Sequence, residues 1–559
     1  MTGRLRFTLL FIIFCFLAIA LRLFYWQVVK ADELSQLGQS QYDAFIRVEP
    51  LRGEIKTSDG FAIAANKISY LLYANPREIQ NKNQTAQLLS SLLQIDTASV
   101  SAQLNFDRVW VPIKTGIDND TKVSLEKLNI KGIGFEQQSQ RFYPEGSMAA
   151  QLVGFVGKDD QGESKGYFGL EGYYDRQLRG KPGIAVMVKD ALGRPIVSHM
   201  TERAQAIDGR TLVLSIDRVM QYILEKHLKD GVDKYGASSG MAAIMDPKTG
   251  NVLAMASFPS FDPRHFGEYS DDVYKNPFVT NLYEPGSTFK SLVMSSALDS
   301  KVVKPDTKCP VCSGSVKIGD YEIRTWDNKY FPNSTMIDVI QHSDNTGMVY
   351  VGSQLGTERL LSYLKKFGIG DVTGIDLQGE VTQSLRNPAD FYPIDSATLT
   401  FGQGISVTPI ALLNAFAAIA NDGKRMEPHV VFAIVTPDGQ KIPIAPKVLE
   451  QPISQSTAKV MTEILVNTVV NGEAKWAAPK GYRIAGKTGT AQIPIAGHYD
   501  PNKTIASFIG FAPADDPKFV MLVVIDKPTT SIYGAETAAP VFFAIAKDIF
   551  TYYNIPPTQ

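Results

Sequence analysis

The sequence predicts an α+β multidomain protein with a single transmembrane helix at its N-terminus. Three features support this prediction: one apolar run near the N-terminus, a middle stretch of short strands and turns, and a longer C-terminal part in which apolar helices alternate with strands. The chain has 559 residues, and at about 150 residues per domain this length corresponds to three or four domains. Such a chain can bury several cores without disulfides or metal ions.

The composition excludes several classes of protein. Lysine and arginine number 56 and aspartate and glutamate 57, so the basic excess that is typical of nucleic-acid binding is absent. Hydrophobic residues make up 44% of the chain, which excludes extensive disorder. Three cysteines and six scattered histidines provide no spacing typical of a metal site. We therefore expect no nucleic-acid partner and no metal.

The apolar run predicts a membrane anchor at residues 7–29, after a cytoplasmic tail at residues 1–6. A spanning helix needs about 20 apolar residues, and residues 7–29 reach that length if Arg22 extends towards a lipid headgroup. Arg4 and Arg6 precede the run, which favours a cytoplasmic N-terminus. The alternative is a cleaved signal peptide, because Ala18-Ile19-Ala20 imitates a cleavage site. That triplet lies inside the apolar run, and we favour the uncleaved anchor.

Two exported domains are expected after the anchor. Residues 30–205 form the first: a polar helical stalk is followed by short strands, with a hairpin signal at Asp59-Gly60 and an amphipathic helix at residues 80–95. Residues 206–555 form the second, which begins with a strand ending at Ile216 and closes with a strand and a helix.

The strongest chemical signal is the segment YEPGSTFK at residues 283–290. Pro285 and Gly286 interrupt the chain, so the following pattern predicts a helix that starts at Ser287. Ser287 and Lys290 are three residues apart and share one face of that helix. A lysine that is partly removed from water can lose its proton and act as the base for a serine nucleophile. Alone, this spacing is better explained by a capping serine and a solvated lysine.

A second motif, Ser343-Asp344-Asn345, follows in the same domain. Ser343 can pass a proton towards a leaving amine, and Asn345 can hold a substrate amide. By itself the triplet is also a plausible turn.

A third motif, Lys487-Thr488-Gly489-Thr490, lies in a segment whose flanks predict a strand. Lys487 supplies a fixed positive charge, and the hydroxyls of Thr488 and Thr490 suit a carboxylate. Gly489 lets an edge strand lie flat against a ligand. The three motifs in this order are the signature of penicillin-binding proteins and class A β-lactamases.

The sequence resembles a class B penicillin-binding protein, a membrane-anchored peptidoglycan D,D-transpeptidase, over nearly the whole chain. In the second domain the resemblance also includes Gly402-Gln403-Gly404, Thr408-Pro409 and the segment AGKTGTAQ. In the first domain the matching positions are Arg52-Gly53-Glu54-Ile55, Asp59-Gly60, Arg141, Tyr143, Pro144, Gly154, Gly157 and Gly169-Leu170-Glu171-Gly172. Thr57-Ser58 depart from the Asp-Arg that family members often carry there.

The resemblance implies a fold and a reaction. The first domain would be an elongated, mixed α/β pedestal of the dimerisation type without a catalytic role. The second would be a transpeptidase domain with an antiparallel sheet flanked by helices. Its substrate would be a peptidoglycan stem peptide ending in D-Ala-D-Ala, and the reaction would pass through a serine acyl-enzyme that β-lactams also form. No cofactor is implied.

The resemblance also assigns the site residues. Catalytic roles fall to Ser287, Lys290, Ser343, Asn345 and Lys487. Substrate binding falls to Thr488, Gly489 and Thr490, with the backbone N–H groups of Ser287 and Thr490 forming the oxyanion hole.

The implied setting is the inner, cytoplasmic membrane of a bacterium, with one membrane pass and the catalytic domain on the periplasmic or extracellular side. The segments RFYPEGSMAAQLVGFVG and GLEGYYDRQLRGKPG resemble the septal, cell-division branch more than the elongation branch, which stays the alternative. Class B members lack a polymerase domain, so a SEDS-type membrane glycan polymerase and other divisome proteins are the expected partners.

Three other classes of protein share these motifs: a serine β-lactamase, a D,D-carboxypeptidase and an inactive β-lactam-binding scaffold. A class A β-lactamase uses a separate glutamate for deacylation. The E-x-x-L-N motif that carries it does not occur between Asn345 and Lys487. All the catalytic side chains are present, which disfavours the scaffold.

Cys309-Pro310-Val311-Cys312 is a C-x-x-C motif outside the three catalytic motifs. Such a motif can be a redox site, half of a zinc site or a short-loop disulfide. We favour an exposed turn with an optional disulfide.

Overall fold

The computed structural model describes residues 2–189, 195–495 and 498–557. The chain divides into two compact units. The first comprises residues 1–51 and 180–209, and the second residues 52–179 and 210–559. The predicted domain boundary after residue 205 stays a prediction.

The first unit contains the N-terminal apolar helix. Residues Thr2–Phe24 are α-helical and continue as a short π-helix at Tyr25–Val29. This 28-residue stretch is long and apolar enough to cross a membrane. At 1.5 Å per residue it reaches about 42 Å, more than the ~30 Å of a hydrocarbon core. A polar helix follows at Ala31–Tyr42, as the sequence predicts.

The first unit also contains a three-stranded antiparallel sheet. Its strands, in spatial order, are Asp43–Val48, Gly183–Lys189 and Pro195–Ala204.

The second unit contains a seven-stranded mixed sheet. Six strands follow one another in space: Lys441–Pro443, Val431–Val435, Thr211–Leu214, Ile55–Lys56, Ala62–Ala74 and Val111–Ile117. The seventh, Ile133–Phe142, pairs with Ala62–Ala74. The hairpin predicted at Asp59-Gly60 is confirmed, because it joins two antiparallel strands of this sheet. This sheet contains strands from residues 55–142, from residues 211–214 and from residues 431–443. It therefore joins the N-terminal and C-terminal segments of the second unit.

Two arginines and two carboxylates form a buried cluster in this unit, which we call the pedestal cluster: Arg52, Arg141, Glu171 and Asp175. Glu171 is fully buried; its carboxylate lies 2.6 Å from a guanidinium nitrogen of Arg52 and 2.6 Å from Nε of Arg141. Arg52 also contacts Asp175 at 2.9 Å. Arg52, Arg141 and Glu171 are all among the first-domain positions that carry the family resemblance. Buried charges need such partners, because the low dielectric makes an unpaired charge costly.

A five-stranded antiparallel sheet forms the centre of the C-terminal part. Its strands, in spatial order, are Val252–Phe258, Ser239–Met245, Phe519–Asp526, His498–Ala512 and Ala485–Ile495. The last of these, which we call the KTG strand, lies at an edge. The described residues also contain three two-stranded sheets: Phe155–Lys158 with Ser164–Tyr167, Val316–Ile318 with Tyr321–Ile323, and Arg425–Met426 with Val448–Glu450.

Both faces of the five-stranded sheet are covered. Along Phe519–Asp526, Val520, Leu522 and Val524 belong to one apolar cluster, which includes the helices around the motifs. The alternate residues Phe519, Met521, Val523 and Ile525 belong to a second cluster. Successive strand residues point to opposite faces, so this uninterrupted apolar run is expected of a strand buried on both sides.

The longer helices pack on these two faces. Arg218–Tyr235 and Ala538–Tyr552 belong to the second cluster, and the fully buried Pro409–Ala420 belongs mainly to the first. Other helices of the unit are Lys82–Leu93, Thr97–Leu104, Asn119–Glu126, Ala150–Val153, Gly169–Tyr173, Asp175–Leu178, Pro277–Thr280, Lys290–Asp299, Met336–Gln341, Asn345–Leu355, Thr357–Lys366, Pro393–Leu399 and Gln455–Asn471. The predicted α+β class and the antiparallel sheet flanked by helices are confirmed.

Candidate active site

The first motif forms a sharp turn into a helix. Gly286–Phe289 is a 3₁₀ turn, and the α-helix Lys290–Asp299, which we call the serine helix, continues from it. Gly286 has φ of +56°, a left-handed conformation that glycine adopts without a side-chain clash. A Cβ on Gly402 would lie 2.3 Å from the carbonyl oxygen of Gly286. The glycine at 402 therefore allows its backbone to pack closely against Gly286.

The second motif forms the start of another helix, Asn345–Leu355. Asp344 caps this helix, since its Oδ1 accepts from the backbone N–H of Thr346 at 2.7 Å and of Gly347 at 3.2 Å. Ser343 precedes the cap with φ of +55°, which is uncommon for a residue with a side chain. This conformation accompanies the contacts that its hydroxyl and carbonyl make with two lysines.

The third motif lies on the KTG strand at the edge of the five-stranded sheet, as predicted. A Cβ on Gly489 would lie 2.3 Å from Oγ of Ser507 and 2.9 Å from Cγ2 of Thr288. Glycine is therefore needed here because the KTG strand comes close to the turn Gly286–Phe289, which contains Ser287. The hydroxyl of Thr490 accepts from the backbone N–H of Gly534 at 3.0 Å.

The three motifs meet at the hydroxyl of Ser343. Nζ of Lys290 lies 3.3 Å from this Oγ, and Nζ of Lys487 lies 3.0 Å from it. Lys290 also donates to the carbonyl of Ser343 at 2.7 Å and to Oδ1 of Asn345 at 2.7 Å. Lys487 donates to the hydroxyl of Thr488 at 3.1 Å. Five of the predicted residues therefore form one connected hydrogen-bond network: Lys290, Ser343, Asn345, Lys487 and Thr488.

Burial makes both lysines unusual. Lys290 is 0% and Lys487 is 1% exposed. Burial, together with the nearby positive charge of Lys487, lowers the pKa of Lys290 to about 7, while the carboxylates of Asp344 and Glu473 oppose this effect. Burial also lowers the pKa of Lys487, while the Glu473 carboxylate opposes this effect. Near neutral pH, Lys290 can therefore be an unprotonated amine, which is the form that a base requires.

Ser287 itself is partly exposed in the 3₁₀ turn that leads into the serine helix. Its hydroxyl has no hydrogen-bond partner among residues 2–189, 195–495 and 498–557. Lys290 donates to the second motif instead of contacting this hydroxyl. For Lys290 to act as the base of Ser287, this hydrogen bond would have to form when the substrate binds, as catalytic hydrogen bonds often do.

Two carboxylates next to the motifs are not evident from the sequence. Glu473 accepts from the hydroxyl of Thr488 at 3.1 Å. Glu284 accepts from the backbone N–H of Gly404 at 3.0 Å and from the hydroxyl of Tyr499 at 3.1 Å. Glu284 lies within the segment YEPGSTFK, so its position near Ser287 could have been noted from the sequence. Glu473 has no comparable signal, because its contact with Thr488 depends on the packing of a loop.

The C-x-x-C prediction is partly wrong. Cys309 and Cys312 form a disulfide with Cα atoms 5.6 Å apart. The pair is buried rather than exposed, since the cysteines are 3% and 0% exposed and belong to the main apolar cluster. A Cβ on Gly347 would lie 3.1 Å from Sγ of Cys312, so the disulfide packs directly against the helix that Asp344 caps. The motif alone does not reveal this burial, which results from long-range packing.

Two family models match the chain. The penicillin-binding protein transpeptidase domain matches residues 240–549, and the penicillin-binding protein dimerisation domain matches residues 47–214. Together they cover both the five-stranded sheet with its three motifs and the pedestal cluster.

Individual proteins are similar over nearly the full length. The chain is 35% identical to stage V sporulation protein D of Bacillus subtilis, covering 100% of this chain and 86% of the relative. It is 31% identical to peptidoglycan D,D-transpeptidase FtsI of Escherichia coli, covering 96% and 89%.

Solved structures agree with this relationship. Penicillin-binding protein 3 from Mycobacterium tuberculosis in complex with aztreonam superposes with a TM-score of 0.72 at 27% identity, covering 92% of this chain and 99% of that one. Penicillin-binding protein 2X from Streptococcus thermophilus has a TM-score of 0.77 at 25% identity, covering 92% and 81%. The two domain matches, the full-length relatives and the three converging motifs show that the chain belongs to the class B penicillin-binding proteins.

Proposed function

We propose that this peptidoglycan D,D-transpeptidase uses Ser287 as its nucleophile and Lys290 as the base that activates it. One observation carries the proposal: the amine of Lys290 is buried one helical turn from Ser287 and contacts Ser343 and Asn345. A buried lysine loses its proton more readily than a solvated one, and a serine hydroxyl needs such a base to become a good nucleophile.

The first half of the reaction forms an acyl-enzyme. Oγ of Ser287 attacks the carbonyl carbon of the penultimate D-Ala, and its proton passes to Nζ of Lys290. The backbone N–H groups of Ser287 and Thr490 stabilise the resulting oxyanion. As the amide bond breaks, the hydroxyl of Ser343 gives a proton to the leaving D-Ala amine and recovers one from Lys290, which it contacts.

The second half transfers the acyl group. The amine of a neighbouring stem peptide attacks the ester carbon, loses a proton to the network, and Ser287 leaves as a hydroxyl. Lys487 and the hydroxyls of Thr488 and Thr490 bind the terminal carboxylate of the donor peptide. Gly489 allows the strand to lie close to the serine turn, and Asn345 holds the peptide amide.

Intact mass spectrometry of the detergent-solubilised full chain after benzylpenicillin treatment tests this proposal. We expect a mass increase of one penicillin that persists for many minutes, because a transpeptidase lacks a dedicated base for hydrolysing the ester. A short-lived adduct with continuous drug consumption would identify a β-lactamase instead. Complete absence of an adduct would identify an inactive scaffold.

We also propose that the enzyme acts at the division septum, anchored in the cytoplasmic membrane with its catalytic domain outside the cytoplasm. The similarity to the Escherichia coli relative named FtsI supports this role. The apolar stretch Thr2–Val29 supports the anchor, and Arg4 and Arg6 support a cytoplasmic N-terminus. An elongation role predicts a distribution along the lateral wall rather than at mid-cell, which fluorescence microscopy of a tagged full chain distinguishes.

The proposed partner is a SEDS-type glycan polymerase, together with other divisome proteins. A chain without residues 1–40 is expected to react with benzylpenicillin as the full chain does but to lose co-purification with the polymerase. As a control, replacing residues 7–29 with an unrelated polyleucine span restores membrane attachment without the original helix surface. Co-purification of the truncated chain at full yield contradicts the proposed contact.

A further inference from the structure

Two buried lysines share one hydroxyl in this site, and only one of them can serve as a base. Lys290 and Lys487 both lie within hydrogen-bond distance of Oγ of Ser343, at 3.3 and 3.0 Å. Two ammonium groups this close in a buried site repel each other strongly. The site therefore favours a state in which only one of the two lysines is protonated. The surrounding residues determine which lysine that is.

The contacts of the two lysines differ in charge. Lys290 donates to the neutral carbonyl oxygens of Ser343 and Asn345. Lys487 donates at 3.1 Å to the hydroxyl of Thr488, which in turn donates at 3.1 Å to the carboxylate of Glu473. The carboxylate of Glu473 is thus linked to Lys487 through the hydroxyl of Thr488. It is not among the hydrogen-bond partners of Lys290.

The second oxygen of Glu473 is also informative. Oε1 is buried and has no hydrogen-bond partner among the residues that the structure describes. A buried carboxylate oxygen without a donor is costly unless its negative charge is balanced nearby. The positive charge of Lys487 supplies this balance through Thr488.

We propose that Glu473 is a positioning residue that keeps Lys487 protonated and so leaves Lys290 as the free base. It acts through Thr488 and touches no reacting atom. This inference rests on the proposed roles of Ser287 and Lys290, and it adds a reason why two similar lysines in one network take opposite protonation states.

Other charged groups lie around the same network. Asp344 in the second motif raises the pKa of Lys290 against the effect of burial. Its Oδ1 caps a helix, and its Oδ2 is buried without a partner among the described residues. A cavity of about 200 Å³ adjoins Asp344 and Glu473, and its lining also includes Asp327, Lys329 and His342. Of the two nearby carboxylates, only Glu473 is hydrogen-bonded to a group that Lys487 contacts. Its charge is therefore expected to affect Lys487 more than Lys290.

The rate of benzylpenicillin acylation as a function of pH tests the proposal in the full chain. We expect a bell-shaped profile, in which deprotonation of Lys290 gives the rise and deprotonation of Lys487 gives the fall. In Glu473→Gln, which keeps an acceptor for Thr488 but removes the charge, the falling limb should move to lower pH by about one unit or more. The rising limb should move less.

Two further variants make the result specific. Glu473→Asp retains the charge and should keep the falling limb closer to the wild-type pH than Glu473→Gln does. Glu463→Gln removes an exposed carboxylate from the preceding helix, where it pairs with Arg483, and should leave the profile unchanged. A Glu473→Gln profile that is lower at every pH but not displaced would overturn the proposal and leave Glu473 as a support for Thr488.

The outcome for this inference is separable from that for Ser287 and Lys290. If wild type forms the adduct with a bell-shaped profile and Glu473→Gln has the same two limbs, only the role of Glu473 fails. If wild type forms no adduct, or its rate does not rise through neutral pH, the proposed roles of Ser287 and Lys290 fail first.

Discussion

Replacing Ser287 by alanine is expected to abolish the covalent benzylpenicillin adduct completely. The substitution removes the only atom that the proposed mechanism joins to the drug, and the neighbouring network can supply protons but not a replacement bond. Intact mass of the full chain should therefore show the unmodified value after exposure to the drug, while wild type gains the mass of one penicillin.

The matched control is Ser296→Ala on the serine helix, which continues from the turn that contains Ser287. The hydroxyl of Ser296 is buried and donates to the carbonyl of Leu292 at 2.7 Å, a contact within its own helix. Its removal should leave adduct formation intact. An adduct on Ser287→Ala at the wild-type level would show that another residue is the nucleophile.

Replacing Lys290 by methionine is expected to slow benzylpenicillin acylation by about 10²–10⁴-fold, the usual contribution of a general base. Methionine fills a similar volume without an amine, so the change removes the base with little loss of packing. Because burial and the charge of Lys487 lower the pKa of Lys290 to about 7, the wild-type rate should rise as the pH increases through about 7. The neutral amine is the active form, so this rise should be absent in the variant.

Stopped-flow or quenched-flow measurement of the acylation rate of wild type and variant, at several pH values between pH 5 and pH 9, provides the comparison. Lys229→Met is the control, since Lys229 is 60% exposed and pairs with Asp233 on a surface helix. A Lys290→Met rate that still rises through neutral pH would assign the base to another group.

Local signals explain why most of the fold and the motif positions could be predicted. The turn residues before Ser287 predict the start of a helix, and the structure has a 3₁₀ turn that leads into one. The apolar run at 519–526 predicts a buried strand, and the amphipathic pattern at residues 80–95 predicts the helix observed at Lys82–Leu93. Each of these signals depends on neighbouring residues alone.

Long-range packing explains what could not be predicted. The sequence does not bring Glu473 to Thr488, because a 15-residue separation with a loop between them leaves their distance undetermined. The left-handed conformation of Ser343 is likewise not encoded by its residue type, since serine has no preference for it. The cysteine pair is buried because helices around the second motif cover it, which a four-residue motif cannot indicate.

The pedestal cluster also constrains the order in which this part of the chain can fold. Arg52 and Glu171 are separated by 119 positions, and Arg141 and Glu171 by 30, so the last partner is synthesised long after the first. Until Glu171 arrives, burying either guanidinium would leave an uncompensated charge at a cost of about 3–5 kcal/mol. The ion pairs of the pedestal cluster can therefore form only after residue 171 has been synthesised. The apolar cluster within residues 72–125 contains none of these charged side chains, so we expect it to pack while both guanidinium groups are still in water.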